Sequence, residues 1–272
     1  VSRGVPPARL MPFAALGSAI FEVDGTIEET LDLLAQARDR LGAYETTTYR
    51  RANPYQSEGA KTLGYEIILQ YGGVPDWIVV PIGGGGTLSS IWRALLDLRE
   101  MGRIDRLPRI AGVQPAAYNA LEIAEREGLS TDEDLLAIPF PETPETILVK
   151  LQHTYPHDGA EALAAIRESG GAVCVATDEE AILALRRIGA AEGLYAEPSS
   201  TVVLPAIERL LAEGKMQPGQ SVVAVLTGSG HRETHVLLKR APLNLQRITP
   251  KDGIEHLASY LGIEAQVDGQ PR

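Results

Sequence analysis

The chain has 272 residues, 36 acidic side chains against 25 lysines and arginines, a formal charge of −11 and a pI near 5.0. That balance excludes the cationic surface of a nucleic-acid binder and favours small metabolites as ligands. Its one cysteine, Cys174, excludes an internal disulfide and a Cys-rich metal site and suits a reducing cytoplasm, while the lack of a roughly 20-residue apolar stretch or a recognisable leader predicts a soluble chain with no membrane contact.

In chain order, apolar runs alternate with helical periodicity, the pattern of βα units and a largely parallel sheet. A strand is predicted at Ser18 to Val23 and a helix over Thr26 to Leu41. A helix over Glu58 to Tyr71 leads to a strand at Asp76 to Ile82, then a helix over Leu88 to Met101 and a strand at Arg109 to Gln114. Helices over Ala117 to Glu127 and Gly159 to Ser169 flank a loop rich in Pro, Glu and Thr from Pro141 to Lys150. A strand at Ala172 to Ala176 places Cys174 among apolar neighbours, so burial is expected of it. Thr177 to Glu180 reads as a capping box opening a helix over Asp178 to Glu192, followed by a helix over Ser199 to Glu213 and a strand at Ser221 to Leu226. The tail from Arg240 carries one short helix, Pro250 to Leu261.

Four consecutive glycines, Gly83 to Gly86, stand between the apolar run ending at Ile82 and the amphipathic stretch that begins at Thr87. Bare backbone ahead of a helix start offers unpaired N–H donors and positive dipole potential, which suits a phosphate. A tight turn that binds nothing needs only one or two glycines, and each further one adds chain entropy lost on folding. No lysine follows as in a nucleotide P-loop. Leu88 stands where the dinucleotide fingerprint wants a third glycine, and Gln114-Pro115 follow the next strand where an acidic residue is wanted. A single phosphate monoester fits best.

Four segments occur in order: Asn53-Pro-Tyr-Gln-Ser-Glu-Gly-Ala-Lys-Thr62, Pro81-Ile-Gly-Gly-Gly-Gly-Thr87, Glu192-Gly-Leu-Tyr-Ala-Glu-Pro-Ser-Ser200 and Val225-Leu-Thr-Gly-Ser-Gly230. In order and spacing they resemble threonine synthase, a fold-type II pyridoxal-phosphate family with threonine dehydratase and cysteine-synthase-like enzymes as relatives. Weaker similarity at Pro144 to Ile147, Glu168 to Gly171 and Thr177 to Glu180 extends the match from about Pro7 to Gly230.

The resemblance implies pyridoxal 5′-phosphate as cofactor, its phosphate held by Gly83, Gly84, Gly85, Gly86 and Thr87. Thr227 is placed at the pyridine nitrogen, where a neutral hydroxyl suits elimination chemistry less dependent on a full pyridinium. Asn53 falls near the ring or substrate, with an Asn-Pro turn as the equal alternative. Glu197 precedes Pro198 at a helix start, where a structural role is as well supported as a site role. Many threonine synthases carry Arg at the position of Gln56 and small polar residues at those of Arg50 and Arg51. The two arginines here are therefore candidates to clamp an anionic substrate, a solvated strand end being the alternative.

The family's cofactor lysine sits in a Ser-Phe-Lys-Asp-type segment, followed by a Ser-Ser-Gly-Asn loop for the substrate carboxylate. Neither occurs in the sequence, and both are expected before Val1 of a chain that opens without methionine. The lysines Lys61, Lys150, Lys215, Lys239 and Lys251 each lack the sequence context of a Schiff-base amine, so no catalytic residue is assigned. His153 and His157 are separated by Pro156 and show no metal spacing, and His231 reads as a turn residue.

The resulting expectation is an α/β, doubly wound, tryptophan synthase β-like fold in two domains, N-terminally incomplete. Residues 1–52 are the remainder of a smaller domain, 53–240 the large cofactor domain and 241–272 an appendage. The resemblance implies conversion of O-phosphohomoserine and water to threonine and phosphate by a cytoplasmic homo-oligomer such as a dimer, acting on a phosphorylated or acidic amino acid. This chain alone is expected to be inactive. Another fold-type II lyase or β-replacement enzyme, a catalytically silent cofactor-binding or regulatory protein, and a doubly wound protein binding another phosphate ester are the alternatives.

Overall fold

Trp77-Ile-Val-Val-Pro81 forms β1 with every residue buried, as in a strand covered on both faces. The computed structural model describes residues 1, 5, 7–25, 27–139, 145–240, 247 and 253–262. Within it β1 joins β2 (Arg109–Pro115), β3 (Ala172–Ala176) and β4 (Val222–Ala224) in one all-parallel sheet of order β3-β2-β1-β4. Trp77 pairs with Arg109 on one side and Val222 on the other, and Ala111 pairs with Ala172.

Among the described residues four helices precede β1: α1 (Pro7–Ala15), α2 (Ile27–Leu41), α3 (Pro54–Ala60) and α4 (Thr62–Tyr71). Helix α5 (Gly86–Glu100) connects β1 to β2, and α6 (Ala120–Glu127), α7 (Asp132–Leu136) and α8 (Gly159–Glu168) connect β2 to β3. Helices α9 (Asp178–Glu192), α10 (Pro198–Thr201) and α11 (Val203–Ala212) lead to β4, and α12 (Thr234–Arg240) and α13 (Gly253–Leu261) follow. Helices α5 and α8 pack on each other and on the central strands, while α11 packs on β1 and β3 beside α9. Ile78, Leu88, Ile91, Leu95, Ile110, Leu121, Leu163 and Ile166 fill the core between them, each side chain contributing about 1.5–3 kcal/mol on burial.

The strand order positions the site. From β1 the chain crosses to β2 on one side, whereas β4 closes on the other, so the connections diverge at the carboxyl ends of β1 and β4. Open α/β sheets bind ligands in the crevice at such a switch point. The glycine run follows β1, and Thr227 follows β4.

Several elements depart from the sequence reading. Ser18 to Val23 is not a strand: Phe21 is 77% exposed, and the segment meets Val1 through only two bonds, from Val23 N–H to the Val1 carbonyl at 2.8 Å and from the Val1 ammonium to the Phe21 carbonyl at 2.8 Å, so no ladder extends among the described residues. The helix read over Glu58 to Tyr71 is broken at Lys61 into α3 and α4, and that over Ser199 to Glu213 is broken at Val202 into α10 and α11. Pro12 lies inside α1, and that helix and the short α7 were not read from sequence. Residues 145–150 form no helix or strand; 140–144 of the expected loop and 250–252 of the tail helix lie outside the described residues. The chain divides into two compact units, Val1–Thr234 and His235–Arg272, so residues 1–52 share a unit with the sheet. Among the described residues no helix is long and apolar enough to cross a membrane.

Candidate functional site

Ile82 N–H donates to the Val113 carbonyl at 2.7 Å, holding the strand direction to the edge of the glycine run. Gly85 is the N-cap of α5 at φ +97°, ψ −18°, a conformation a side chain resists. The neighbouring glycines are required by close approach. A Cβ on Gly83 would lie 2.8 Å from the Lys150 carbonyl and 3.0 Å from the His153 ring, one on Gly85 would lie 2.5 Å from the Asp158 carbonyl oxygen, and one on Gly86 would lie 2.7 Å from Asp158 Oδ2. Asp158 N–H donates to the Gly84 carbonyl at 2.7 Å, clamping the loop against the segment from Lys150 to Asp158. Gly84 itself differs, since its Cβ would meet nothing closer than 4.0 Å. The first full turn of α5 closes from Ser89 N–H to the Gly85 carbonyl at 3.0 Å, leaving the N–H groups before it without intrahelical acceptors.

The loop floors a cleft of about 450 Å³. Gly83 to Gly86, Thr87 and Thr227 line it together, so the structure brings the predicted phosphate loop and the predicted ring-facing hydroxyl into one cavity. Lys150, His153, Asp158, Glu197 and Arg232 line it as well, with Thr47, Thr48 and Gln56 on the side of the N-terminal helices. The wall carrying Glu197 is laced to the loop after β4: Glu197 N–H donates to the Gly228 carbonyl at 2.9 Å, Gly230 N–H donates to the Tyr195 carbonyl at 2.9 Å, and Ala196 bridges Ser229. A Cβ on Gly228 would land on the Glu197 carboxylate.

Burial sets the protonation of the cleft's charges. Loss of hydration pushes Asp158 up to about 6, against the bond its Oδ1 accepts from Arg50 N–H at 3.0 Å. Glu233, wholly buried behind the Thr227 loop, is pushed up to about 7 by burial and by the neighbouring Glu197, with both carboxyl oxygens lacking a hydrogen-bond partner. Glu197 is raised chiefly by burial, and its Oε2 is likewise unbonded. Lys150 is held below the usual lysine range by desolvation and by Arg9 and Arg232.

The sequence-derived substrate set is not part of this lining. Asn53 caps α3, accepting from Gln56 N–H at 3.4 Å and Tyr44 Oη at 3.2 Å while donating to the Thr47 carbonyl at 3.2 Å. Arg50 turns its guanidinium to Glu161 at 2.6 Å, and exposed Arg51 interacts with Asp132. His231 is exposed and meets Tyr195 edge-on at 5.0 Å, and Cys174 is a buried strand thiol raised to about 11. The residues to which sequence reasoning gave no site role, Lys150, His153 and Asp158, reach the cleft through irregular chain; the one available signal was that the stretch 150–158 holds two histidines, a lysine and an aspartate immediately before a helix.

The profile of the family described as pyridoxal-phosphate dependent enzyme matches residues 1–228. The chain belongs to this family. Over 225 residues this family member is 31% identical to threonine synthase of Methanocaldococcus jannaschii, a match covering 82% of the chain and 53% of that protein. Against threonine synthase of Synechocystis sp. it is 29% identical over 246 residues, covering 90% of the chain and 59% of the relative. The chain thus spans between half and three fifths of the length of these relatives, as a threonine synthase-like member of the family. Maize serine racemase superimposes with a TM-score of 0.61 at 18% identity, covering 96% of this chain and 69% of that one. Threonine deaminase isoform 2 of Solanum lycopersicum gives 0.67 at 15% identity, covering 89% and 65%. These two show the fold, the fold-type II α/β architecture.

Pyridoxal phosphate is the cofactor of the family, and the cleft fits it. Glycines that tolerate no Cβ keep side chains out of the space where a phosphate would meet the helix N–H groups, and Thr87 adds a hydroxyl. Among the described residues Asp158 is the acidic group packed against the glycine loop, and a bound phosphate would raise its pKa further, favouring the neutral acid.

Proposed function

We propose that this chain carries the cofactor site of a pyridoxal-phosphate lyase of the threonine synthase type, converting O-phosphohomoserine and water to threonine and phosphate. The observation that carries the reading is the shared cleft of Gly83 to Gly86, Thr87 and Thr227 at the switch point of the sheet. The backbone N–H groups of the loop and the Thr87 hydroxyl would hold the cofactor's phosphate, and the Thr227 hydroxyl would face its ring. Bound there, the cofactor supplies an electron sink for a negative charge developing on an amino acid's carbon skeleton. Arg232 offers the cleft a guanidinium for an anionic substrate group, the place first assigned to Arg50 and Arg51. Glu233, pushed up to about 7 by burial and by Glu197, is suited to holding a proton near neutral pH, and Glu197, raised chiefly by burial, lines the cleft with Thr227.

Binding and turnover test the reading separately. Pyridoxal 5′-phosphate should quench the fluorescence of Trp77 and Trp92 saturably, inorganic phosphate should compete, and Gly84→Val should weaken binding at least about tenfold with an unchanged urea midpoint, because its side chain enters open cleft space. Unchanged affinity in that variant removes the loop from the site. For turnover, phosphate release matched by threonine from O-phosphohomoserine supports the assignment, whereas 2-oxo acid from threonine or serine moves it to the dehydratases.

A further inference from the structure

Three elements meet at one buried carboxyl group. Asp158, the N-cap of α8, is 5% exposed. Its N–H donates to the Gly84 carbonyl at 2.7 Å, its Oδ1 accepts from Arg50 N–H at 3.0 Å, and its Oδ2 takes no hydrogen bond among the described residues. A Cβ on Gly86 would lie 2.7 Å from that Oδ2 and 3.3 Å from the Thr48 carbonyl, so the unbonded oxygen stands beside the first residue of α5. An anion held by the first N–H groups of α5 would sit in the same positive potential. The cations that face the carboxyl group are engaged elsewhere, Arg50 with Glu161 of α8 at 2.6 Å and Arg93 of α5 with Glu58 at 2.7 Å. Glu161 adds a like charge, and the segment leading to Asp158 contributes Tyr155 and the cleft-lining His153 and His157. A carboxylate and a second anion at one water-poor cradle disfavour each other's charge.

We propose that the glycine socket takes its anion together with one proton, with Asp158 as a ligand-binding residue that donates from Oδ2 to the anion as the neutral acid. The inference rests on the cleft being the phosphate site. The proton comes from solvent, and no other bond to hydrogen or carbon changes. Burial already pushes Asp158 up to about 6, opposed by the Arg50 N–H bond and helped by Glu161, and an anion beside it raises it further. Above that value the carboxyl group is ionised before the ligand arrives, so binding must draw in a proton and affinity falls as pH rises. Well below it the proton is already present, and affinity levels off. A socket of backbone donors alone would hold an anion of fixed charge equally at every pH.

Sulfate is the probe, because it stays a dianion across this range and any pH dependence then belongs to the protein. Calorimetric titration of the 272-residue chain should show sulfate affinity falling about tenfold per pH unit above about pH 7 and level below about pH 5. Asp158→Asn, which keeps an acceptor for Arg50 N–H, should flatten that profile to within about threefold, whereas His153→Gln and His157→Gln should keep the slope. At about pH 7.5 sulfate should also raise a protonated-carboxyl C=O band in the infrared difference spectrum of the wild-type chain, which proton uptake by an imidazole would not produce. That readout stands whether or not a variant folds. A flat wild-type profile, a slope that survives in Asp158→Asn or is lost with either histidine, or phosphate binding that sulfate fails to displace overturns the inference and leaves the cofactor-site reading standing. Absence of saturable binding by sulfate, phosphate and pyridoxal 5′-phosphate alike overturns both.

Discussion

The two ends of the cleft are built on opposite principles. At the glycine loop the ligand-facing groups are backbone, shaped by contacts to Lys150, His153 and Asp158 that leave no room for side chains at three of four positions. At the Thr227 end the groups are side chains, and the buried Glu197 and Glu233 carry carboxyl oxygens without hydrogen-bond partners. Backbone donors are fixed by the fold and act at any pH. Unbonded buried carboxyls are neutralised or await a partner, so their contribution changes with protonation and ligand. One end is thus a rigid backbone socket, proposed to take a phosphate, and the other holds buried carboxyls whose protonation can change.

The largest expected break in this contrast is at Gly85. Gly85→Ala puts a Cβ against the Asp158 carbonyl in a positive-φ residue, and should lower stability by about 2–4 kcal/mol in urea denaturation while abolishing phosphate-competable binding. A wild-type midpoint would show the socket to be less rigid than described. At the other end, Glu233 titrates near 7 in the folded chain against an ordinary 4.5. The folded state therefore keeps a proton that the unfolded state releases, and stability falls as pH rises between those values. Glu233→Gln should remove that fall, gaining about 1–3 kcal/mol over wild type at pH 8 and little at pH 4; parallel profiles would place the titration elsewhere.

Asp158 ties the two behaviours together, being an acid inside the socket. Its shift from 3.8 to about 6 has the same sign, so Asp158→Asn, which retains an acceptor for Arg50 N–H, should gain about 1–2 kcal/mol above pH 6. Calorimetric titration should also show phosphate affinity declining less with pH in this variant than in wild type. The smallest effect is expected far from the cleft, at the capping box of α9, where Thr177 Oγ1 accepts from Glu180 N–H at 3.2 Å and Glu180 Oε2 accepts from Thr177 N–H at 2.8 Å. Thr177→Ala should cost about 1 kcal/mol in thermal unfolding and leave ligand binding alone.

The portion of this site legible in sequence was the portion encoded locally. Gly83 to Thr87 announce a strand-loop-helix unit by composition, Thr177 to Glu180 announce a cap by spacing, and Ala172 to Ala176 announce a buried strand by apolar content. The opposing wall is set by tertiary approach. Asp158 reaches the glycine loop because Pro156 and the start of α8 turn the chain there, and no periodicity reports that turn. Lys150 reads as the end of a polar loop, and its partial burial arises only when Ser199 and Asp178 hold that loop down. Arg50 failed as a cleft residue for the same reason in reverse, since Glu161, remote in sequence, lies close enough to take its guanidinium. Ser18 to Val23 has strand-like residues, but a strand also needs a neighbour to pair with.

The bond from Asp158 N–H to the Gly84 carbonyl has a consequence for assembly. It joins segments 74 positions apart, across the β1–β2 crossover and the helices that follow it. The socket therefore cannot mature early in folding; it is a long-range product of the sheet, expected to close late. A phosphate ester that binds only the closed form adds its free energy to this junction, about 2.7 kcal/mol at one hundred times its dissociation constant. Hydrogen exchange at Gly84, Gly85 and Asp158 should consequently slow together on ligand addition, as one cooperative unit spanning both halves of the sheet.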